Sequence, residues 1–266
     1  LGALAPALPE RVAAAASHMA NPTFGGWDRA GGRRFVAYEL VLSGTGARAT
    51  SDGCEGMSWA FNASNIPVEA QEAHHPIVVE RFELIRDSAG PGRFRGGSGV
   101  RRDLRFMADE GKLTNLSDRQ TFPPYGLFGG RSGRLGRTVI NPGPDEVVVH
   151  GKESREFAYG DVISFQQSGA GGYGDALERD PARVLEDVMD DYVSIEAARA
   201  DYGVVITGIG IDLRVDEAAT RALRTELRDR SRPAPRALQA ESRDRSHAAP
   251  RTGHPRSEPG TRPPLQ

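Results

Sequence analysis

The chain has 266 residues, 38% of them hydrophobic and 26% charged, with a formal net charge of −2. That length can bury the core of one large domain or two small ones, and the near-neutral charge excludes a general attraction to nucleic acid or anionic membrane. A single cysteine, Cys54, excludes an internal disulfide framework, and no apolar run reaches the ~18 residues of a membrane-spanning helix.

The remaining composition, 32 glycines and 18 prolines, demands many turns. Leu1–Ser17 is alanine-rich without the basic start of a signal peptide, so a cytoplasmic location is expected. Pro9–Met19 reads as the end of a helix stopped by Asn21-Pro22, which makes residues 1–20 the remnant of a preceding helical segment. Thr23–Gly32 reads as a glycine-rich loop. Arg33–Leu42 alternates as a strand, with Phe35, Ala37 and Glu39 on one side.

Ser43–Gly56 is too long and glycine-dense for an ordinary turn, and such loops are often functional. It holds Asp52, Cys54 and Glu55, and His74 and His75 follow about twenty residues later. A Cys–His pair is conceivable there, because a thiol nucleophile needs a base beside it. Glu69 and Glu72 lie three apart on one short helical turn, a spacing open to acid–base work, to a hard cation, or to plain solvation.

Ile77–Arg86 reads as a strand apolar on both faces, with Gly99–Ala108 as its partner. Between them stand Gly90-Pro91-Gly92, Arg93, Arg95 and Gly96-Gly97. Glycines cluster where the backbone takes positive φ or lets something approach. Arg93 and Arg95 can face an anion or a carbonyl oxygen; the alternative is a decorated hairpin with solvated arginines. Lys112–Asp118 is a further strand, and Phe122–Gly130 a rigid aromatic and proline connection. Short strands at Thr138–Ile140, Glu146–His150 and Val162–Phe165 then give an antiparallel β module.

Gly169-Ala170-Gly171-Gly172-Tyr173-Gly174 fits a dinucleotide fingerprint but fails on context, since the helix starts only after Asp180-Pro181. That helix, Pro181 to about Asp191, buries Val184, Leu185, Val188 and Met189. Ser194 caps a second that ends at Tyr202-Gly203, Val204–Ile206 adds a strand, and Asp216 caps a last helix. After Arg230 the branched aliphatics almost vanish, so residues 230–266 are expected to be a disordered Arg/Pro/Ser-rich tail of non-native character. The fold class expected is α+β: a β-rich, mostly antiparallel core with long glycine-rich loops, short C-terminal helices and that tail. Residues 21–212 form the main domain and 213–229 a terminal helix.

Several motifs occur in one order: Asn21-Pro22, Gly44-Thr45-Gly46-Ala47-Arg48, Asp52-Gly53, Asn65-x-Pro67-Val68-Glu69, Asp87-Ser88-x-Gly90-x-Gly92-x-Phe94-Arg95-Gly96-Gly97-x-Gly99 and Gly169-x-Gly171-Gly172-Tyr173-Gly174-Asp175. From Asn21 to Val205 the chain resembles the C-terminal portion of the hydantoinase B/oxoprolinase family. That resemblance implies the B-type component of an ATP-dependent cyclic-amide hydrolase. An A-type ATP-binding partner phosphorylates the amide oxygen, and the B component opens the activated lactam or hydantoin ring with water. Two alternatives stay open: a non-catalytic truncated assembly module, and a subunit of an ATP-dependent ketone carboxylase.

The resemblance also implies a divalent metal in an N-terminal half rich in histidine and aspartate, which no stretch of this sequence matches; no metal ligands are expected here. Two departures stand out: Asn65-Ile66-Pro67 where relatives read Asn-Thr-Pro, and Gln167-Ser168 where they read Thr-Pro. The catalytic candidates are Asp52, Glu69, Arg93 and Arg95. The substrate-proximal candidates are Gly44, Gly46, Arg48, Asn65, Gly96 and Gly97. Arg95→Ala is expected to lower turnover of a complete complex and leave the fold intact.

Overall fold

The computed structural model describes residues 2–17, 19–28, 30–57 and 64–231; from residue 232 onward the expected tail lies outside them. Two antiparallel sheets share one core. The first runs β2-β1-β5-β8, built from β1 (Thr23–Asp28), β2 (Arg33–Tyr38), β5 (Glu110–Leu116) and β8 (Lys152–Ala158). The second runs β3-β4-β9-β6-β7, built from β3 (Ile77–Ile85), β4 (Gly99–Phe106), β6 (Arg137–Ile140), β7 (Val147–Val149) and β9 (Val162–Gln166). Their inner faces meet through Phe24, Phe35, Leu113 and Phe157 on one side and Leu104, Phe106, Ile163 and Phe165 on the other. Phe106 stands edge-on to Phe24 at 5.1 Å between centroids and lies against Phe157 at 4.0 Å. Period-2 alternation produces this: in β4, Val100, Leu104 and Phe106 turn inward while Arg101, Asp103 and Arg105 share the other face.

Three expectations need correction. Thr23–Asp28 is a central strand, not a loop. Its Gly26 opposes Gly111 of β5, and a Cβ on Gly26 would lie 2.8 Å from the Gly111 Cα, so this crossing admits no side chain. β3 is an edge strand whose one buried residue is Ile77, with Val78, Phe82 and Leu84 exposed and a bulge between Val79 and Arg81. Finally, Pro9–Met19 is not a helix end. Only Pro9–Arg11 makes a 3-10 turn, and Val12–Ser17 runs extended. β8, a charged edge strand with Phe157 alone buried, carried no alternation that the sequence reading used.

The extended N-terminal run belongs to a bundle of glycine-rich segments that are not sheet strands yet exchange backbone hydrogen bonds. Ala14 N donates to Ala47 O at 2.8 Å, Ala15 N to Tyr125 O at 3.0 Å, Gly171 N to Ala15 O at 2.8 Å, and Ser17 N to Gly44 O at 3.0 Å. Helix propensity of the alanines is a weak prior and these bonds override it. Small side chains are required because backbone packs on backbone. A Cβ on Gly97 would lie 2.8 Å from the Gly44 Cα and 2.9 Å from the Thr45 N, and one on Gly46 would collide with the Ala14 carbonyl oxygen.

A second core follows in the chain. It contains α2 (Pro181–Met189), α3 (Ile195–Tyr202), the short hairpin β10 (Ile206–Thr207) and β11 (Arg214–Val215), and α4 (Glu217–Ser231). The caps sit where the residue types place them. Asp180 accepts from Ala182 N at 3.0 Å, Ser194 from Ala197 N at 3.0 Å and Asp216 from Ala219 N at 2.9 Å, while Gly203 ends α3 at φ 62°. A separate short helix, α1 (Val68–His74), packs beside β3. No helix among the described residues is long and apolar enough to cross a membrane.

Candidate functional site

The segments carrying the sequence motifs converge on one charge network. Asp52 accepts two hydrogen bonds from Arg179, Nη1 to Oδ1 at 2.7 Å and Nη2 to Oδ2 at 2.9 Å. It also accepts from the Arg95 backbone N at 2.7 Å and from Arg183 Nη2 at 3.1 Å. Arg95 sends Nη1 to Glu55 at 2.8 Å and to its neighbour Gly96 O at 2.8 Å, and Nε to Asp187 at 3.2 Å. Asp187 in turn holds Arg179, at 3.0 Å from Nε and 2.8 Å from Nη2. Glu55 closes the circuit by accepting from the Ser98 N. The Arg95 guanidinium lies 4.7 Å from the Tyr192 ring centre.

Arg95 is 4% exposed and Arg179 1%. Burial alone disfavours both guanidinium charges, but Glu55 and Asp187 around Arg95, and Asp52 and Asp187 around Arg179, outweigh it and raise both above the ordinary range. Burial pushes the Asp52 carboxyl up, yet the bonds and charge of Arg179, the Arg95 amide and Arg183 hold it below its usual value. Three carboxylates face three guanidiniums, so the network is neutral and fastens the loops around Asp52 and Arg95 to α2.

A second buried group sits inside the β core. Arg102 on β4, 0% exposed, reaches Glu39 at 3.3 Å through Nη1 and Gln71 at 2.5 Å through Nη2, and Gln71 donates to Glu39. Its guanidinium lies 4.9 Å from the Phe82 ring centre, and its Nε has no hydrogen-bond partner among the described residues. Burial raises the Glu39 pKa against the opposing pull of Arg102, and burial lowers that of Arg102.

The structure therefore brings the side chains of Asp52 and Arg95 into one network, in which Arg93 and Gly96 take part only through their carbonyl oxygens. Asp52 is fully engaged by donors, and Arg95 is a buried crosslink, so Arg95→Ala is expected to disturb the fold, contrary to the expectation from sequence. Arg93 is exposed, stacks on Phe94 at 5.6 Å, and contributes its carbonyl to Arg179 at 3.2 Å. Arg48 is exposed, with its backbone N on Ser51 O at 2.9 Å. Glu69 is exposed on α1, and Glu72 is occupied by Val79 N at 2.8 Å. The Asn65 side-chain oxygen is buried with no hydrogen-bond partner among the described residues. Gly44, Gly46, Gly96 and Gly97 are approached by backbone of this same chain.

Cys54 is exposed and its backbone pairs with Thr45, whereas His75 lies against Phe35, 6.4 Å between ring centres. Among the described residues no cluster of three or more His, Cys, Asp and Glu side chains could hold a metal ion.

Sequence reasoning missed Arg179, Asp187 and the Glu39–Gln71–Arg102 group. Two signals were present. Asp187 lies three residues after Val184 on the apolar stripe of α2, and Glu39 shares a strand face with Phe35 and Ala37. Arg179 sits in a turn with no pattern to mark it.

Paired antiparallel sheets, backbone-packed glycine loops and a charge-fastened helical pair define a recognisable class of fold. The profile of the Hydantoinase B/oxoprolinase family matches residues 1–176, and the chain belongs to that family. The caprolactamase beta subunit of Pseudomonas jessenii is 34% identical over 238 residues, covering 84% of this chain and 40% of its own. The crystal structure of the ATP-dependent caprolactamase of that organism matches with a TM-score of 0.72 at 30% identity over 84% of this chain and 40% of the matched one. A 5-oxoprolinase of Dictyostelium discoideum is 30% identical over 139 residues, 52% of this chain and 11% of its own. A nucleotide-free acetone carboxylase shares the fold, with a TM-score of 0.69 at 23% identity over 82% of this chain and 33% of the other. The chain thus spans about two fifths of the length of the caprolactamase subunit.

Proposed function

We propose that this chain is the glycine-rich C-terminal region of a B-type component in an ATP-dependent cyclic-amide hydrolase. The observation that carries the reading is the likeness to caprolactamase, at 30% identity and a TM-score of 0.72 across 84% of the chain. A cyclic amide resists water because resonance strengthens its C–N bond. An A-type partner binds ATP and transfers the γ-phosphoryl group to the amide oxygen. Water then adds to the amide carbon and the ring C–N bond breaks with the nitrogen leaving as an amine, which gives an acyl phosphate; a second water at that carbon displaces phosphate and leaves a carboxylate.

In this reading the loops around Asp52 and Arg95 form one rigid wall beside the activated ring. Asp52, Glu55, Arg95, Arg179 and Asp187 hold that wall. The exposed Arg93 and Arg48 are the groups free to meet phosphoryl oxygens.

Reconstitution of a full-length B-type polypeptide carrying this region with its ATP-binding partner tests the reading. ATP consumption is expected to rise with caprolactam, 5-oxoproline or a hydantoin, with stoichiometric ring opening. ATP turnover indifferent to every cyclic amide would refute it, and turnover requiring bicarbonate and a ketone would assign the carboxylase alternative instead.

A further inference from the structure

The hairpin β10–β11 ends in Gly208-Ile209-Gly210-Ile211-Asp212, and its two isoleucines are 88% and 94% exposed. The tip is a tight turn: Gly208 and Gly210 hold φ of 98° and 59°, Asp212 N donates to Ile209 O at 3.1 Å, and a Cβ on Gly208 would lie 2.8 Å from the Asp212 carbonyl carbon. Two large aliphatic side chains two residues apart in water form an apolar knob, and such exposure marks an interaction site.

A matching socket lies in the same helical unit. A groove of about 540 Å³ opens between α2, β11 and the start of α4, with Pro181, Ala182, Leu185 and Val215 along it and Glu217 and Arg221 on its rim. The near-complete exposure of both isoleucines means the knob does not fill the groove of its own copy. Charges on the two parts complement each other. Asp212 and Arg214 flank the knob and are exposed, while Glu217 and Arg221 at the rim are 80% and 73% exposed and joined only by a surface pair at 3.3 Å.

We propose that Ile209 and Ile211 enter the α2–α4 groove of a second copy of this chain, with Asp212 facing Arg221 and Arg214 facing Glu217 across the contact. Because knob and groove adjoin on one copy, two copies exchange knobs about a two-fold axis and the contact closes as a dimer. This surface is separate from the loops around Asp52 and does not depend on the hydrolase reading.

Sedimentation equilibrium of the chain from micromolar to millimolar concentration tests it. A monomer–dimer equilibrium is expected. I209E/I211E is expected to weaken it at least about tenfold, as removal of a central apolar anchor does. Ala182→Trp, which fills the groove without touching the knob, is expected to weaken it similarly. All of these side chains are at the surface, and an unchanged unfolding transition verifies that each variant folds. In a Cys54→Ser background, a mixture of Ile211→Cys and Ala182→Cys chains should form a disulfide between unlike chains. A chain monomeric throughout the range overturns the proposal, as does a dimer that both I209E/I211E and Ala182→Trp leave intact. A knob protected only by an A-type partner overturns it as well.

Discussion

Arg179→Ala removes the residue that ties α2 to the loop around Asp52, and its cost can be worked from the contacts. Arg179 is 1% exposed and donates to Asp52 through two nitrogens, to Asp187 through two, and to the Arg93 carbonyl. Truncation leaves Asp187 with Arg95 alone, and leaves Asp52 with the half-exposed Arg183 and the Arg95 amide. Breaking a buried ion pair by deleting one partner costs about 3–5 kcal/mol, chiefly the penalty of the stranded charge. With a urea m-value of about 1–3 kcal/mol/M, the midpoint should fall by at least about 1 M. Arg179→Lys keeps a charge and loses the planar fork, so its loss should be intermediate.

The pH dependence gives an independent check. The Asp52 pKa is depressed below 3.8 in the folded state, so its contribution is present above 3.8 and is lost as pH falls through the depressed value. The difference between wild type and Arg179→Ala should therefore shrink on acidification below about pH 4 and hold steady at neutral pH. Urea unfolding followed by tryptophan fluorescence at several pH values measures both. A loss under about 1 kcal/mol at pH 7 would refute the reasoning, because it would mean the network contributes no more than a surface pair.

Four further outcomes are expected. Glu39→Ala and Arg102→Ala should each cost about 3–5 kcal/mol and the double variant less than their sum, because each single change strands a buried charge; an additive double-mutant cycle in urea would contradict this. Since burial raises the Glu39 pKa above 4.5, its contribution is full below that value and is lost as pH rises through the elevated one, and Glu39→Gln should abolish that component of the pH–stability profile. Gly46→Ala should cost about 3 kcal/mol or more through collision with the Ala14 carbonyl, whereas Gly160→Ala, at φ 87° with nothing within 4 Å, should cost only the left-handed strain of about 1–2 kcal/mol; thermal melts of the pair measure the contrast. Cys54 should react with a thiol reagent in the native protein, and Cys54→Ser should shift stability by less than about 0.5 kcal/mol; turnover of the reconstituted complex lost on that change would restore the thiol to candidacy.

The two-sheet core was legible wherever one face is dry and the other wet. β4, β5 and β9 alternate or run apolar, and their turns carry the expected glycines, so the sequence placed them within two residues. The capped helices were equally plain, since Asp180, Ser194 and Gly203 act through contacts a few residues away. Legibility failed where the partner of a residue lies far along the chain. β8 pairs with β5 some forty residues away and buries only Phe157, so nothing local distinguishes it from a charged loop. Val12–Ser17 is extended because Gly44, Ala47 and Tyr125 supply its hydrogen bonds, and an alanine run read alone says helix.

The motifs around Asp52 and Arg95 pose the same problem in sharper form. Glycines and arginines in a loop are equally the marks of a ligand cradle and of backbone packed on backbone, because both demand close approach and both offer charge. What separates the readings is the identity of the approaching atom. For Gly97 it is the backbone of Gly44 and Thr45, and for Arg95 it is Glu55 and Asp187, whose positions are 40 and 92 residues away. An acidic residue on the apolar stripe of α2 was the one clue in the sequence that this helix holds a buried cation. Which cations it holds, Arg95 and Arg179, only the fold shows; with both guanidiniums spent there, the groups left to meet a ligand are Arg93 and Arg48 on the exposed side of the same loops.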